Sequence, residues 1–474
     1  MDFLKKNKEF IIPALFLIEL FLGFNGKMIL IFNVPIRHIL FLLTFFDLWL
    51  YAAYFFVKNK INLLEELKAK LNFLDISVAI FLFMMAVSMF IVPYFTHGNY
   101  KMSILEALIP FLIVSLYFPI TFIVRNKRLN LAIVDLFLSY LVTILSALHF
   151  VFYVGQKFDH NFIENFFYVC KFICFQQAMP PVIVLGPLGY PRAIFTTSIF
   201  MIMGIYFFFK KIDNIKTKDY IFLGINILGL LSTITKSIWL GIVIAFMVFL
   251  ALYMIVQVRE KNQKNIKKMI AICIGMASFV IVSDFVIFDR FITIRISNFF
   301  VNTEISTNNT EEHQAPINNK FGQQNKWAEI DREGSIISNN IKIDQSYRLM
   351  KKWLERPILG FGYGSYIEDY VRVEENNSDY KFSYEMQLPA LFMQTGILGM
   401  SSWGLIFLSM LYVVKKKYKY DYIRSLSWVL LSLAFFISVQ TNPFLLSFVG
   451  MSILLYLLSY CSYFNDLERK SNEK

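Results

Sequence analysis

The chain is predicted to be an all-α polytopic membrane protein, and three observations predict it. Hydrophobic residues fill 57% of its 474 positions and the mean hydropathy is +0.54, well beyond soluble chains, where apolar residues make up about half. Uncharged runs of membrane-spanning length recur from one end to the other. The cationic residues, which give a formal net charge of +12, collect in the loops at one set of ends of these runs. Such a distribution describes topology and not an affinity for nucleic acid.

A helix needs about 20 apolar residues to cross a bilayer. In order along the chain, such runs extend over Phe10 to Phe32, His38 to Val57, Phe73 to Phe95, Ile104 to Val124, Leu131 to Val154 and Ile194 to Phe209. They continue over Tyr220 to Thr235, Ser237 to Val258, Met269 to Val286, Met386 to Val414, Leu426 to Val439 and Phe444 to Tyr460. The expectation is therefore about twelve spans, the shorter ones borrowing flanking residues. The first follows Lys5, Lys6 and Lys8 as a signal peptide would. It has no small-residue cleavage site and is too long, so a retained helix is expected.

Lys and Arg resist translocation and fix the orientation. The stretches KNKINLLEELKAK, RNKR, KKIDNIKTK, REKNQKNIKK, KKKYKYDYIR and LERKSNEK all fall on one side if the N-terminus is cytoplasmic. Both termini are then inside and two larger segments outside. Residues 1–287 hold nine spans with a smaller outer loop at 155–192. Residues 288–385 form one large outer segment between the ninth and tenth spans, and 386–474 supply the last three spans and a cytoplasmic tail. The first half of the large segment, NTEISTNNTEEHQAPINNKFGQQN, reads as loosely ordered. In its second half, Tyr347, Leu349, Met350, Trp353 and Leu354 recur at helical spacing, which predicts a short helix on or over the membrane face. Cys170 and Cys174 have helical spacing and Cys273 and Cys461 lie in apolar runs, so no disulfide is expected. There is no internal repeat of the kind that marks inverted-repeat transporters.

Soluble motifs are missing: no Walker loop, no HExxH, no Cys/His cluster at metal spacing and no Asp-x-Asp pair. Nucleotide hydrolysis and zinc chemistry are thereby excluded as expectations, and no metal or cofactor is called for. The loop NVPIRH carries no acid, unlike the first loop of many metal-dependent lipid-sugar transferases. The glycines of GFGYG, Gly360, Gly362 and Gly364, follow no strand and precede no Lys-Ser. They read either as a tight turn over the membrane surface or as backbone N–H groups gathered into an anion nest. What remains are charges at the outer ends of spans. Arg192 in GYPRAIF and Lys236 in TITKSIWLG run against the positive-inside bias, and either could be an interfacial anchor. Arg348 shares its segment with Lys351, Lys352 and Arg356, where a solvated helix face is the plain reading. Glu385 stands at the mouth of the run ending in Gly396-Ile-Leu-Gly399, where an acid also suits the helix dipole. Glu19, Asp47, Glu106 and Asp135 are expected to pair with basic groups or to line a cavity.

Together these positions resemble the superfamily of O-antigen ligases and O-antigen polymerases (Wzy-type), bacterial enzymes of surface polysaccharide synthesis. The fullest match is R-x-x-x-x-W-x-x-x-P-x-x-G-x-G, here Arg348, Trp353, Pro357, Gly360 and Gly362, followed by the helix that begins at Glu385 and contains Gly396 and Gly399. TKSIWLG is similar to the family's Thr-x-Ser-Arg-x-x-Trp-Leu, with Lys236 near the usual arginine. Arg192 followed by Phe195 resembles the family's outward arginine before Gly-x-Phe, although the glycine is absent. The resemblance covers roughly Gly155 to Met400.

The resemblance implies a GT-C-like membrane glycosyltransferase, independent of metal and cofactor, in the bacterial inner membrane with its active site facing the periplasm. Its donor and acceptor would be oligosaccharides on undecaprenyl diphosphate, with membrane lipid and a chain-length regulator as further partners and no nucleic acid. Arg192, Lys236 and Arg348 would bind the diphosphate leaving group, and Glu385 would be the general base. In the ligases a histidine occupies the position of Glu385, while polymerase-like members carry other polar residues, so the chain leans to polymerase. Lysine at 236 leaves a point charge in place of a bidentate fork. The alternatives are a ligase passing finished glycan to lipid A core or protein, a lipid-linked oligosaccharide flippase, and an envelope scaffold.

Overall fold

The computed structural model describes residues 10–23, 29–31, 34–58, 71–96, 98–126, 131–159, 161–163, 165–166, 182–185, 191–288, 290, 292–293, 324–367, 384–418, 421–441 and 444–472. Apart from two short antiparallel hairpins the described residues build helices. In order these are α1 (Ile11–Leu22), α2 (Ile36–Lys58), α3 (Phe73–Ala86), which passes through a π-helical turn (Val87–Ile91) into α4 (Val92–Thr96), α5 (Tyr100–Ser115), α6 (Tyr117–Arg125) and α7 (Leu131–Phe158). A 3-10 turn (Thr196–Met201) leads into α8 (Ile202–Phe209), followed by α9 (Thr217–Ser232), α10 (Lys236–Arg259), α11 (Gln263–Val286), α12 (Gln324–Glu355), α13 (Gln387–Lys417), α14 (Tyr422–Ser438) and α15 (Phe448–Asn472). The hairpins are β1 (Leu30–Ile31) with β2 (Val34–Pro35) and β3 (Val182–Leu185) with β4 (Pro191–Ile194).

Every apolar run singled out in the sequence carries helix. Among the described residues seven helical stretches are long and apolar enough to cross a membrane: α2, α3–α4, α5–α6, α7, α10, α11 and α13. The chain is thus a multi-pass, all-α membrane protein. Four further apolar helices are shorter, including α1 and α14. The first run departs from expectation. Its helix stops at Leu22, where Gly23 donates back to the Glu19 carbonyl, and a hairpin takes up part of the remainder. The sequence explains it, since Gly23 is followed closely by Asn25-Gly26, a strong turn signal. The helix expected around Tyr347 to Leu354 departs the other way: α12 begins at Gln324, more than five turns before Tyr347. Cys273 and Cys461 are free thiols, and Cys170 and Cys174 lie outside the described residues.

Small residues set the closest helix contacts. Gly241 of α10 lies against the Ala434 carbonyl and Ser438 of α14, and Gly229 of α9 against Ser146 of α7. Such small-residue contacts drive packing where no hydrophobic effect separates helix from lipid. Ion pairs staple the bundle as well. Arg37 holds Glu19 at 2.7 Å, Arg125 holds Asp75 at 2.8 Å, and Lys210 pairs with Asp135 while lying 4.1 Å over the Tyr460 ring. Glu19 and Asp135 therefore pair with basic groups, as expected. An apolar cavity of about 440 Å³ opens between α1, α2, α6, α7, α8 and α15, walled by Phe16, Phe21, Leu48, Phe137 and Phe200 among others.

Candidate functional site

The cavity contains none of the residues singled out for chemistry. Arg348 and Glu385 belong instead to a unit built around an interruption of α13, while Lys236 lies at the start of α10. At Gly396 the backbone leaves the helix, with φ 62° and ψ −169°. A break in a membrane helix releases carbonyls and N–H groups that find no water in hydrocarbon, each costing several kcal/mol if left alone, roughly. Here another stretch of chain satisfies them. Ile397 and Leu398 donate to the carbonyls of Pro357 and Ile358 at 2.8 and 3.1 Å, and Phe361 and Gly362 donate to those of Met393 and Gln394 at 2.9 and 2.8 Å. The segment after α12 is thus the missing rung of α13.

The same segment fills a second irregularity. The π-turn of α3 frees the Ser88 carbonyl, which accepts from Tyr363 N–H at 3.1 Å, and the Met89 carbonyl, which accepts from the Ser103 hydroxyl at 2.8 Å. Gly364 N–H then donates to Glu106 Oε2 at 2.6 Å, while Gln394 Nε2 donates to Oε1 at 2.8 Å. All three loop glycines are left-handed, with φ of 70°, 88° and 71°, and each lies against other elements: Gly360 on Met393–Gln394, Gly362 on Pro93, Gly364 on Met102–Ser103. Only glycine meets both demands, positive φ and close backbone approach.

This corrects the anion-nest reading of GFGYG. The turn is packed against α3, α5 and α13. Its five consecutive N–H groups from Gly360 to Gly364 are all engaged, the first with the Arg356 carbonyl at 3.0 Å, so an external anion finds no nest. The acceptor it meets is the chain's own Glu106 side chain. That residue was expected to find a basic partner or a cavity, and instead takes two neutral donors.

The remaining motif positions belong to this unit. Trp353 Nε1 donates to the Pro357 carbonyl at 3.1 Å and its ring packs on Phe392. Leu349, Tyr384, Ala390 and Met393 form a small core joining α12 to α13. Gln345 accepts from Met386 N–H at 3.0 Å, and Lys342 Nζ lies 3.7 Å from Glu385 Oε2. Glu385 is 32% exposed and reachable from outside the bundle. Arg348 lies one turn beyond Gln345 and is bound to Asp344 at 2.9 Å. Arg348 and Glu385 are thereby brought to the same α12–α13 junction, each with a partner of opposite charge that is itself partly exposed.

Lys236 opens α10, where a cation opposes the helix dipole. The turn before it is strained. Ile234, a β-branched residue, is held at φ 52°, and Thr233 and Thr235 hydrogen-bond within the turn. Trp239 of the same TKSIWLG stretch ties back to the Leu230 carbonyl at 3.0 Å. Strain of this kind costs about 1–3 kcal/mol and persists where the surroundings over-determine it. The 3-10 turn Val439–Thr441 packs against both α10 and α13, so one turn of chain bridges the Lys236 and Gly396 elements. Arg192 lies in β4, paired in register with Val184; its side chain is outside the described residues. Phe195 lies edge-on to His149 at 4.4 Å in a small buried cluster.

Lys342, Gln345 and Gln394 were missed from sequence, and Glu106 was singled out there without a role in the chemistry. Lys342, Gln345 and Leu349 share a face of α12 at helical spacing, a signal available beforehand. Among the described residues no three His, Cys, Asp or Glu side chains converge as a metal site requires. The chain matches no protein-family model and no curated protein.

Proposed function

We propose that the chain is a glycosyltransferase of the O-antigen polymerase type, joining glycan repeat units carried on undecaprenyl diphosphate at the outer face of the bacterial cytoplasmic membrane. The reading takes about twelve spans, both termini cytoplasmic and α12 outside. The interlocking of two distant stretches supports it most. The stretch from Arg348 to Gly362 and the stretch from Glu385 to Gly399 carry the fullest resemblance, and they complete one another's backbone hydrogen bonds. From Gly396 to the lysines at the end of α13 is about 30 Å, one hydrocarbon thickness. On this reading the interlock lies at the outer membrane boundary, where a lipid-linked diphosphate would stand.

In the reaction, the acceptor hydroxyl attacks the anomeric carbon of the donor while the bond to the diphosphate oxygen breaks. Glu385 takes the hydroxyl proton, and Arg192, Lys236 and Arg348 stabilise the charge on the departing diphosphate. Arg348 would exchange Asp344 for phosphate, a modest loss for an exposed pair. Removing a cation that meets the leaving group costs on the order of 3 kcal/mol, about a hundredfold in rate. Lys236→Arg should retain much of the activity and Lys236→Ala should not.

The test is surface polysaccharide from a strain lacking this protein, separated on a gel and complemented with the Glu385→Gln variant. A single repeat unit on core, unchanged by Glu385→Gln, is the expected pattern. Unmodified core with polymer held on the carrier lipid would assign a ligase instead. Normal long chains in the deletion strain would end the proposal.

A further inference from the structure

Glu106 touches both sides of the Gly396 interlock, and the proposed reaction does not use it. It lies near the start of α5, partly buried, and its two oxygens face two different elements. Oε2 takes the N–H of Gly364, in the loop that follows α12. Oε1 takes the side-chain amide of Gln394, which is 1% exposed and two residues before the break in α13. The neighbouring Thr96 hydroxyl adds a bond to the Phe361 carbonyl at 3.1 Å from the end of α4.

We infer that Glu106 is a positioning residue: its carboxylate clamps the Gly360–Gly364 loop to α13 and so holds Arg348 and Glu385 in register. Each donor alone would be an ordinary hydrogen bond. An acceptor between them is different, because the loop carries α12 and therefore Arg348, while Gln394 belongs to the helix that begins beside Glu385. A carboxylate suits the place because it is acceptor-only and receives both donors at once. A glutamine there keeps one oxygen for Gly364, and Gln394 can turn its own carbonyl toward the new amide. Alanine leaves both donors unsatisfied.

The activity part of this inference rests on the proposed function; the clamp itself does not. Full-length protein in nanodiscs, as wild type, Glu106→Gln and Glu106→Ala, is compared by amide hydrogen exchange over 358–364 and 393–398. Glu106→Ala should speed exchange there at least about tenfold, as leaving two buried donors without an acceptor implies. Exchange around Asp75 should not change, and Glu106→Gln should stay within a few-fold of wild type. Each variant is also scored for polymer length in the deletion strain. Glu106→Gln should make normal polymer and Glu106→Ala short or none. Unchanged exchange in Glu106→Ala removes the clamp, whatever the protein's activity. Fast exchange with normal polymer refutes the positioning role and leaves the proposed function intact. Loss of polymer in Glu106→Gln with wild-type exchange would show that Glu106 acts by its charge. A strain whose polysaccharide does not depend on this protein sinks the proposed function alone, while the exchange arm still decides the clamp.

Discussion

Two carboxylates on the same group of helices are held in opposite ways. Asp75, at the start of α3, is neutralised: it receives the Arg125 guanidinium at 2.8 and 3.0 Å and the Tyr117 hydroxyl at 2.5 Å, and it closes a capping box with Asn72. Glu106, about 28 Å from Arg125 along α5 and α6, receives only neutral donors. The first arrangement cancels a charge between regular helices and makes a staple. The second gives its two oxygens to neutral donors and fixes an irregular loop. The start of α3 is fastened by side chains, and the break in α13 mainly by backbone.

The largest effect that sharpens this contrast is expected at the staple. Arg125→Leu leaves Asp75 charged and nearly buried, which should lower stability by about 3–5 kcal/mol, and adding Asp75→Asn should restore part of it. Thermal unfolding of the purified protein in detergent measures both. A single variant as stable as wild type would mean that Asp75 is not held by charge at all.

At the broken end the backbone should dominate. In Gly396→Ala the new Cβ would lie 2.5 Å from the Ile358 carbonyl carbon and 2.6 Å from Gly360 N, at a φ of 62°. The expected loss is about 1–3 kcal/mol. Gly275→Ala in α11, where a Cβ meets nothing within 4 Å, is the control and should be neutral or slightly stabilising. Equal melting temperatures for the two variants would break the claim that the interlock is held by backbone.

The smallest effect belongs to the exposed pair. Lys342 and Glu385 are 3.7 Å apart and 26% and 32% exposed. Lys342→Ala should cost no more than about 1 kcal/mol. A larger drop in the same unfolding experiment would make this pair a third staple and blur the distinction.

How far the sequence could be read follows the same division. Apolar runs write their helices locally, so their positions were legible, as were the Glu19 and Asp135 pairings in kind. Glycines such as Gly360 and Gly396 signalled special backbone without saying what it met. The partner of Glu106 was not legible, because Gly364 donates through its main chain across 258 positions, and an N–H group carries no residue signature. The end of α1 at Leu22 was legible in Gly23 and Asn25-Gly26, but hydropathy outweighed it.

The break at Gly396 also bears on the order in which this protein is made. The carbonyls of Pro357 and Ile358, and the N–H groups of Phe361 and Gly362, precede α13 in the chain. During synthesis they are therefore already present when the interrupted helix leaves the ribosome. A helix that cannot close its own ladder meets its complement waiting. A circular permutant that placed 357–362 after α13 would have the same contacts to make, but would expose the open rung to the bilayer for the time that separates the two stretches in translation.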